Sequence, residues 1–164
     1  MRTIPDPGFS GDDGSVPSDV AAALTAYAED PTRHSATLAV LQQARLLVPV
    51  VAVLGEVEYD DQGLAHDKTS DMATVLLRGR DGRTALLAFT GREPLERWDP
   101  EARPVPVTFA RAAEAARQDG AEAIVVDVAG PSMFVVEGDD LVQLAEGAML
   151  VEISVRYGWA RPAP

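Results

Sequence analysis

The sequence has no cysteine, and this absence removes several classes of chemistry at once. Without thiols the chain can form neither a disulfide framework nor a thiolate metal centre, and it has no cysteine nucleophile. Histidine is nearly as scarce, because only His34 and His66 could serve as the base for a serine nucleophile. Ser132 follows Gly-Pro and lacks the strand–turn–helix context of a nucleophile elbow. The sequence therefore predicts no hydrolase activity and no enzyme, and it requires no cofactor.

Positive charge is also in short supply. Lys68 is the only lysine among 14 basic residues, and 26 acidic residues leave a net charge of −12. A surface of this sign repels nucleic acid backbones and anionic membranes, so we expect neither as a partner. No stretch approaches the length of about 18 apolar residues that marks a membrane-spanning helix, and the first residues lack the apolar segment of a signal peptide. These features predict a cytoplasmic protein, and the Ala-, Arg- and Pro-rich composition is typical of a GC-rich bacterial genome.

The remaining composition is that of an ordinary globular protein, with 46% hydrophobic and 24% charged residues among 164. This length predicts a single domain. Residues 1–17 are rich in Pro, Gly, Asp and Ser and predict a flexible N-terminal arm that is dispensable for folding. Residues 18–156 are expected to form the domain, and residues 157–164 to form a flexible C-terminal tail.

The stretch from 84 to 131 alternates short apolar runs with helical patterns, which is typical of proteins that mix helices and sheets. Thr90 is followed three residues later by Glu93, which is the spacing of a capping box. This spacing predicts a helix that begins after Thr90. The helix should end near Trp98, because Asp-Pro follows that residue.

The second half of this stretch predicts a helix between two extended segments. Pro104 and Pro106 fix an extended backbone and exclude a central strand. Thr108 is expected to cap an Ala-rich helix that Gly120 ends in a left-handed conformation. The continuous apolar run at 123–128 predicts a strand that is buried on both faces.

The flanking residues predict the rest of the fold. Asp81-Gly82 is a strong turn signal and predicts a hairpin between strands at 72–77 and 84–89. Pro49, inside an apolar run, predicts an edge strand or a bulge. The other expected elements are helices at 18–29, at 32–45 and after Asp139 or Asp140, a polar loop at 55–70, and strands at 46–54, 133–136 and 148–155. Together they predict an α+β (mixed α/β) single domain whose central mixed sheet of about five or six strands has helices packed on it.

The order of short motifs within the chain is also informative. A strand ending in Phe-Thr, a helix ending in Trp, a Pro-rich extension, an Ala-rich helix, Gly-Ala, a Val-rich strand and Gly-Pro follow one another. This succession resembles the SseB protein N-terminal domain family over roughly 46–144. Members of that family often carry Asn-Pro where this sequence reads Asp-Val-Ala-Gly-Pro at 127–131. The family has no established reaction, so the resemblance implies a fold and no mechanism.

Two charged segments are candidate ligand sites. The acidic residues and His66 within 56–71 offer oxygen and imidazole ligands, but the segment lacks the pattern of a calcium loop. We therefore expect no metal site there, and a solvated acidic loop is the simpler interpretation. Arg78, Arg80 and Arg83 at the hairpin turn could bind an anion, although no phosphate-binding glycine motif accompanies them. These segments support an alternative function, which is small-ligand or metal binding or catalysis.

The preferred hypothesis is a non-catalytic binding or regulatory module that recognises a protein partner. The helix after Thr90 and the turn before Met133 both follow strands, so they are expected to flank one rim of the sheet if those strands are neighbours. Aromatic, Met and Arg residues are favoured in interfaces. The candidate binding residues are Arg92, Trp98, Asp127, Met133 and Phe134. The sequence leaves open whether Trp98 lies in the core or in a groove, and whether the chain forms a homo-oligomer.

Overall fold

The computed structural model describes residues 9–54, 57–59, 65–67 and 70–163. Within these ranges the helices are α1 Ser18–Glu29, α2 His34–Leu41, α3 Arg92–Trp98, α4 Phe109–Gln118 and α5 Gly138–Ala145, and a 3-10 turn, Pro31–Arg33, precedes α2. The strands are β1 Arg45–Leu54, β2 Val57–Tyr59, β3 Ala65–Asp67, β4 Ser70–Thr74, β5 Leu76–Arg78, β6 Thr84–Ala88, β7 Arg103–Thr108, β8 Ala123–Val126, β9 Phe134–Glu137, β10 Met149–Ile153 and β11 Arg156–Ala160.

Two sheets form the centre of the molecule. In the first, with the order β5–β6–β8–β9, β6 and β8 are parallel and the other neighbours are antiparallel. The second has the order β4–β1–β7 and is antiparallel throughout. Leu47 and Phe89 join them by exchanging backbone hydrogen bonds of 2.7 and 2.8 Å. The predicted α+β class with a mixed sheet is confirmed, although the strands are divided between two joined sheets.

In the first sheet β8 is buried on both faces, as the apolar run at 123–128 predicted, whereas the edge strand β5 is exposed. Successive residues of a strand point to opposite faces, and in β6 Leu86 and Leu87 accordingly belong to different buried clusters. The larger cluster lies beneath α1, α2, α4 and α5 and contains Phe109 and Phe134, both fully buried. The smaller one, which includes Leu95 of α3, covers the opposite face. Helices therefore pack on both faces of the central strands.

The prolines of β1 and β7 are accommodated by the alternation of the antiparallel ladder. β1 is the central strand of its sheet, so the prediction that Pro49 marks an edge strand is wrong. Leu47 directs its backbone groups to Phe89, away from its β7 partner Pro106. By the same alternation, Pro49 and Pro104 form a non-hydrogen-bonded pair, so the N–H groups that these prolines lack are not needed between β1 and β7. The prediction that Pro104 and Pro106 exclude a central strand is confirmed, because β7 is an edge strand.

Several predicted boundaries are corrected by tertiary contacts. α2 ends at Leu41 and not at Arg45, because the Gln42 side chain bonds to Leu150 and Arg45 begins β1. The expected tail at 157–164 contains β11, which pairs with β10 while Tyr157 and Trp159 pack on the main cluster.

The polar segment at 55–70 was predicted to be a loop and contains the antiparallel pair β2–β3. Ser70 begins β4, and the other residues of the segment lie outside the described ranges. The predicted start of the last helix after Asp139 or Asp140 is corrected, because α5 begins at Gly138. Pro17 precedes α1 and Glu137 precedes α5, and neither helix start is closed by a side-chain hydrogen bond from the residue before it. The caps at Thr108 and Gly120 are confirmed, with the Thr108 hydroxyl accepting from the Arg111 N–H and Gly120 at φ 76°.

The described part of the predicted N-terminal arm is packed against the domain. We call residues 12–16 the N-terminal strap. The Asp12 carboxylate accepts hydrogen bonds from the guanidinium of Arg45, the shorter being 2.6 Å, and this interaction lowers the pKa of Asp12. The Gly14 carbonyl accepts the Arg92 N–H at 2.7 Å, at the start of α3. A Cβ atom added at Gly91 would lie 2.8 Å from the Val16 nitrogen and 3.0 Å from the Gly14 oxygen. The strap backbone therefore packs directly against Gly91, where there is no space for a side chain.

This contact leads to a first prediction, which reverses the expectation that residues 1–17 are dispensable. Gly91→Ala should destabilise the domain by about 1–3 kcal/mol, because the added methyl group would displace the strap backbone. Arg45→Met should destabilise it as well, since it leaves Asp12 without its partner. Urea unfolding measures both effects, and limited proteolysis should then cut both variants near the strap while leaving the parent intact. If both variants unfold like the parent protein, the strap contributes nothing to the fold.

Candidate functional site

The carboxyl ends of β6 and β8 form the candidate site. Ala88 is the register partner of Val126, so these parallel strands end level with each other. The chain leaves β6 towards α3 and leaves β8 through a turn, and the Asp127 N–H still donates to the Ala88 carbonyl at 3.0 Å. Ligands of open sheets with helices often bind beyond the carboxyl ends of parallel strands, where neighbouring connections diverge. The condition on which the shared rim depended is met, because β6 and β8 are neighbouring strands.

Asp127 and Thr90 hold these two strand ends together. The Thr90 backbone N–H donates to one Asp127 carboxylate oxygen at 2.8 Å, and the Thr90 hydroxyl donates to the other at 2.6 Å. Both residues are 2% exposed. Asp127 has φ 54°, a left-handed conformation that aspartate tolerates better than most residues. We call this pair the Thr90–Asp127 clamp. The Asp127 carboxylate accepts the Thr90 N–H in the place where the next backbone carbonyl of the β6–β8 ladder would accept it.

The clamp also explains why the capping-box interpretation of Thr90 is wrong. The helix α3 begins at Arg92 with Gly91 before it, and no side chain caps it. The Thr90 hydroxyl is already bonded to Asp127, and Glu93 forms an exposed ion pair with Arg97 at 3.2 Å. A capping box joins neighbouring residues, whereas this hydroxyl is bonded to a residue 37 positions away. The spacing of Thr90 and Glu93 therefore identified the helix but not the role of the threonine.

The protonation of Asp127 is set by its burial. Removal from water disfavours the charged form and raises the pKa of this carboxyl above its ordinary value of 3.8, while the two hydrogen bonds from Thr90 act in the opposite direction. Burial is the larger of these effects. The clamp is thus a buried acid whose charged form is stabilised only by a hydroxyl and an amide.

A pocket of about 200 Å³ opens beside the clamp, and we call it the rim pocket. Its lining combines apolar surface with a few polar groups. The apolar residues are Val16, Ala21, Leu24, Pro94 and Pro131, and the polar ones are Thr25, Thr90, Glu93, Arg97, Asp127 and Ser132. Val16 belongs to the N-terminal strap, so the strap supplies part of the wall. The pocket is therefore assembled from four separate parts of the chain, namely the strap, α1, the end of β6 with α3, and the 127–134 turn.

The five predicted binding residues are not all placed at this pocket. Asp127 lines it directly, and Met133, 52% exposed, follows the lining residue Ser132. Phe134 is fully buried and belongs to the core. Trp98 is half-buried with its ring 5.6 Å from that of Phe89, so it packs on the smaller cluster. Arg92 is exposed on the other side of Gly91, against Gly14 of the strap.

The sequence did not identify several residues of the site. Ala21, Leu24 and Thr25 come from α1, and Val16 from the expected arm, and only tertiary packing brings them to the strand ends. The sequence indicated His34 only as a possible base, whereas its ring stacks on Phe134 at 4.5 Å and bonds to the Val135 carbonyl at 2.8 Å. No local pattern distinguishes these positions from ordinary helix residues.

Neither of the two charged segments contributes to the rim pocket as described. The arginines at 78–83 are absent from its lining, and the side chains at 56–71 are not described. Arg83 is engaged by Glu122 at 2.8 Å and by Glu137 at 3.0 Å, so one of the three arginines proposed for an anion is already paired. All the acidic residues at 56–71 lie outside the part of the chain whose side chains are described. Among the described residues, no group of three His, Asp or Glu side chains is arranged to hold a metal ion.

Comparison with known proteins identifies the family. A model described as the SseB protein N-terminal domain matches residues 20–143. The chain belongs to this family. No curated protein and no solved structure shows detectable similarity to the chain. The matched range of the SseB-family domain includes the clamp and most of the rim pocket, whereas the N-terminal strap and the β10–β11 hairpin lie outside it. None of the helices in the described part of the domain has the length and apolarity needed to cross a membrane.

The second prediction tests the clamp. Thr90→Val preserves the shape of the side chain but removes the hydroxyl that bonds to Asp127, so it should cost about 1–3 kcal/mol of stability. Thr90→Ser is the matched control, because it keeps the hydroxyl and loses only a methyl group, worth about 0.8 kcal/mol. Chemical denaturation measures both. A valine variant that is no less stable than the serine variant would show that the hydroxyl does not secure the strand ends.

The third prediction concerns pH. The folded pKa of Asp127 is raised, so in the window above its ordinary value of 3.8 the folded protein binds more protons at this site than the unfolded chain. The stability contributed by this carboxyl is therefore greatest below that value and declines as pH rises through the folded pKa. Relative to Asp127→Asn, which does not titrate, the parent should lose stability as the pH rises above the ordinary value of 3.8. A stability difference that stays constant or grows with pH would contradict this assignment.

Proposed function

We propose that this SseB-family domain is a non-catalytic cytoplasmic binding module that recognises a segment of a partner protein at the rim pocket. The observation that carries the proposal is a small, mainly apolar pocket beside the exposed side chain of Met133. Interfaces place Met and apolar groups at the centre and charged groups at the border. The ion pair of Glu93 and Arg97 supplies that border. The partner would insert one apolar side chain between α1 and the 127–134 turn.

The size of the pocket supports a protein segment over a free cofactor. Sites for drug-sized ligands enclose about 300–1,000 Å³, and this pocket encloses about 200 Å³. One apolar side chain fits such a volume, with the remainder of the partner lying on the surface around Met133. A binding module of this kind needs no reactive group in the pocket.

The chemistry of the lining supports binding without catalysis. The buried carboxylate of Asp127 is engaged by Thr90 and secures the strand ends. Ser132 lines the pocket, but the lining within the described residues includes no histidine that could act as its base. His34 is bonded to the Val135 carbonyl. The proposal therefore includes the sequence-based expectation that generic ester and phosphate substrates are not turned over.

The fourth prediction tests the pocket directly. Peptides selected from a random display library against the parent protein should share an apolar residue. A selected peptide should bind Ala21→Trp at least tenfold more weakly, because the indole would fill the pocket from the exposed face of α1. Ala22→Trp is the control, since Ala22 is exposed on the same helix and does not line the pocket.

Met133→Asp completes this test. Met133 is largely exposed, so the variant should have the same stability as the parent protein. Its affinity for the selected peptide should nevertheless be lower. Equal binding of the peptide to the parent, to Ala21→Trp and to Met133→Asp would exclude the rim pocket as its site.

A second candidate function is the binding of a small cationic ligand, favoured by the carboxylate of Asp127 and the hydroxyl of Ser132 in the same pocket. A thermal-shift screen against metals, nucleotides and amino acids separates it from peptide binding. A ligand present at a hundred times its dissociation constant stabilises the folded state by about 2.7 kcal/mol. Stabilisation by a small molecule that is lost in Ala21→Trp would favour this second function.

A further inference from the structure

The β10–β11 hairpin has a backbone edge that is only partly occupied. A two-residue turn, Ser154 and Val155, joins the strands, so Ile153 and Arg156 form the hydrogen-bonded pair that closes the hairpin. In an antiparallel ladder the hydrogen-bonded pairs alternate. The backbone groups of Leu150 and Glu152 consequently point away from β11, towards α2.

The first of these two positions is already filled by a side chain that imitates a strand. The Gln42 amide donates to the Leu150 carbonyl at 2.6 Å and accepts the Leu150 N–H at 2.7 Å. These are the two bonds that a neighbouring β-strand would make. The second position, Glu152, has no hydrogen-bond partner for its outward N–H and C=O within the described part of the chain. An unfilled strand edge of this kind is a template for strand addition.

The free position opens into a groove of about 400 Å³ between α2 and β10, which we call the β10 groove. Its lining mixes apolar and polar groups, with two carboxylates and no cationic side chain. The lining residues are Asp19, Ala36, Ala39, Val40, Gln43, Met149, Leu150, Val151, Glu152 and Tyr157. None of them lines the rim pocket. The groove is therefore a separate surface, and its chemistry is apolar and acidic.

We infer that the β10 groove binds an extended segment of a partner protein in which apolar and basic residues alternate, and that this segment pairs with β10 as an added strand. The side chain of a residue placed opposite Glu152 would point to the same face as the Glu152 carboxylate. A basic residue at that position would form an ion pair with it. The residues on either side would point to the opposite face, alongside Val151 and Ile153, which favours apolar side chains.

Charge complementarity selects this occupant over a second copy of the chain. Two β10 strands paired about a twofold axis would bring their Glu152 side chains and the neighbouring Asp19 residues to one interface. Like charges directly opposite each other in a sheet are destabilising. The net charge of −12 adds to this repulsion between copies and attracts a basic partner. A basic extended segment satisfies both the free backbone position and the two carboxylates.

Three synthetic peptides with blocked ends test the inference. The first is Val-Arg-Val-Arg-Val and the second is Val-Glu-Val-Glu-Val. The third is the first peptide with the backbone nitrogens of its two arginines methylated. Fluorescence anisotropy gives their affinities for the full chain, and heteronuclear NMR locates the site. The first peptide should bind and shift the amide signals of Leu150–Ile153 and the side-chain amide of Gln42. The other two should bind at least tenfold more weakly, because one repels Glu152 and the other cannot donate to the strand edge.

Matched variants distinguish the groove from general attraction to an acidic protein. Glu152→Lys should weaken the arginine peptide at least tenfold and improve the glutamate peptide. Glu29→Lys is the control, because it makes the same charge change at an exposed position of α1 outside the groove and should leave both affinities unchanged. Ala21→Trp, which fills the rim pocket, should also have no effect. Failure of the arginine peptide to bind would overturn the inference, as would equal weakening by Glu152→Lys and Glu29→Lys or undiminished binding of the methylated peptide.

Discussion

Thr90 is the residue on which the arrangement of the rim depends. Its N–H and hydroxyl bond to Asp127 at the end of β8, and its carbonyl accepts a hydrogen bond from Arg45 of β1. Arg45 in turn binds Asp12 and the Ser15 carbonyl of the strap. One residue thus connects the two sheets and the N-terminal strap through all its polar groups. The rim pocket lies where these connections meet.

The clamp combines two unfavourable features that offset each other. Asp127 occupies a left-handed conformation and buries a carboxylate, and either feature alone would cost free energy. The conformation turns the chain away from β8, and this turn brings the carboxylate back to Thr90. A buried polar group with satisfied hydrogen bonds also fixes one arrangement of its neighbours. The chain therefore leaves the level ends of β6 and β8 by two separate connections, and the rim pocket is lined by both.

The sequence predicted most of what depends on neighbouring residues. The Asp81-Gly82 hairpin, the Thr108 cap and the buried strand β8 follow from turn chemistry, capping and apolar runs, which act over a few positions. The clamp, the strap and β11 could not be predicted in this way. Each depends on contacts between residues far apart in the chain, such as the 37 positions between Thr90 and Asp127. A threonine that caps a helix and one that bonds to a distant carboxylate have the same local sequence.

Composition did not reveal the packing of residues 12–16 or the pairing of β11 for a related reason. Pro, Gly, Asp and Ser are frequent in flexible segments, but they are also the residues that a tightly packed strap needs. Gly14 is buried, and Asp12 and Asp13 accept backbone hydrogen bonds from residues two positions later. The same residue types therefore describe a loose arm and a sequence of small turns. The close contact of the strap with Gly91 distinguishes the packed strap from a loose arm.

The strap and the rim pocket are linked through Val16, which belongs to both. The Arg45 side chain is 8% exposed and that of Asp12 is 24% exposed, so their ion pair is partly shielded from water and is stronger than a surface pair. Under the proposed function, a partner that contacts Val16 in the pocket would bind best when the strap is in place. Linkage is reciprocal, so such a partner would also stabilise the strap by the same free energy. The proposed recognition at the rim would then be coupled to anchoring of the N-terminal segment, with Arg45 as the residue that connects them.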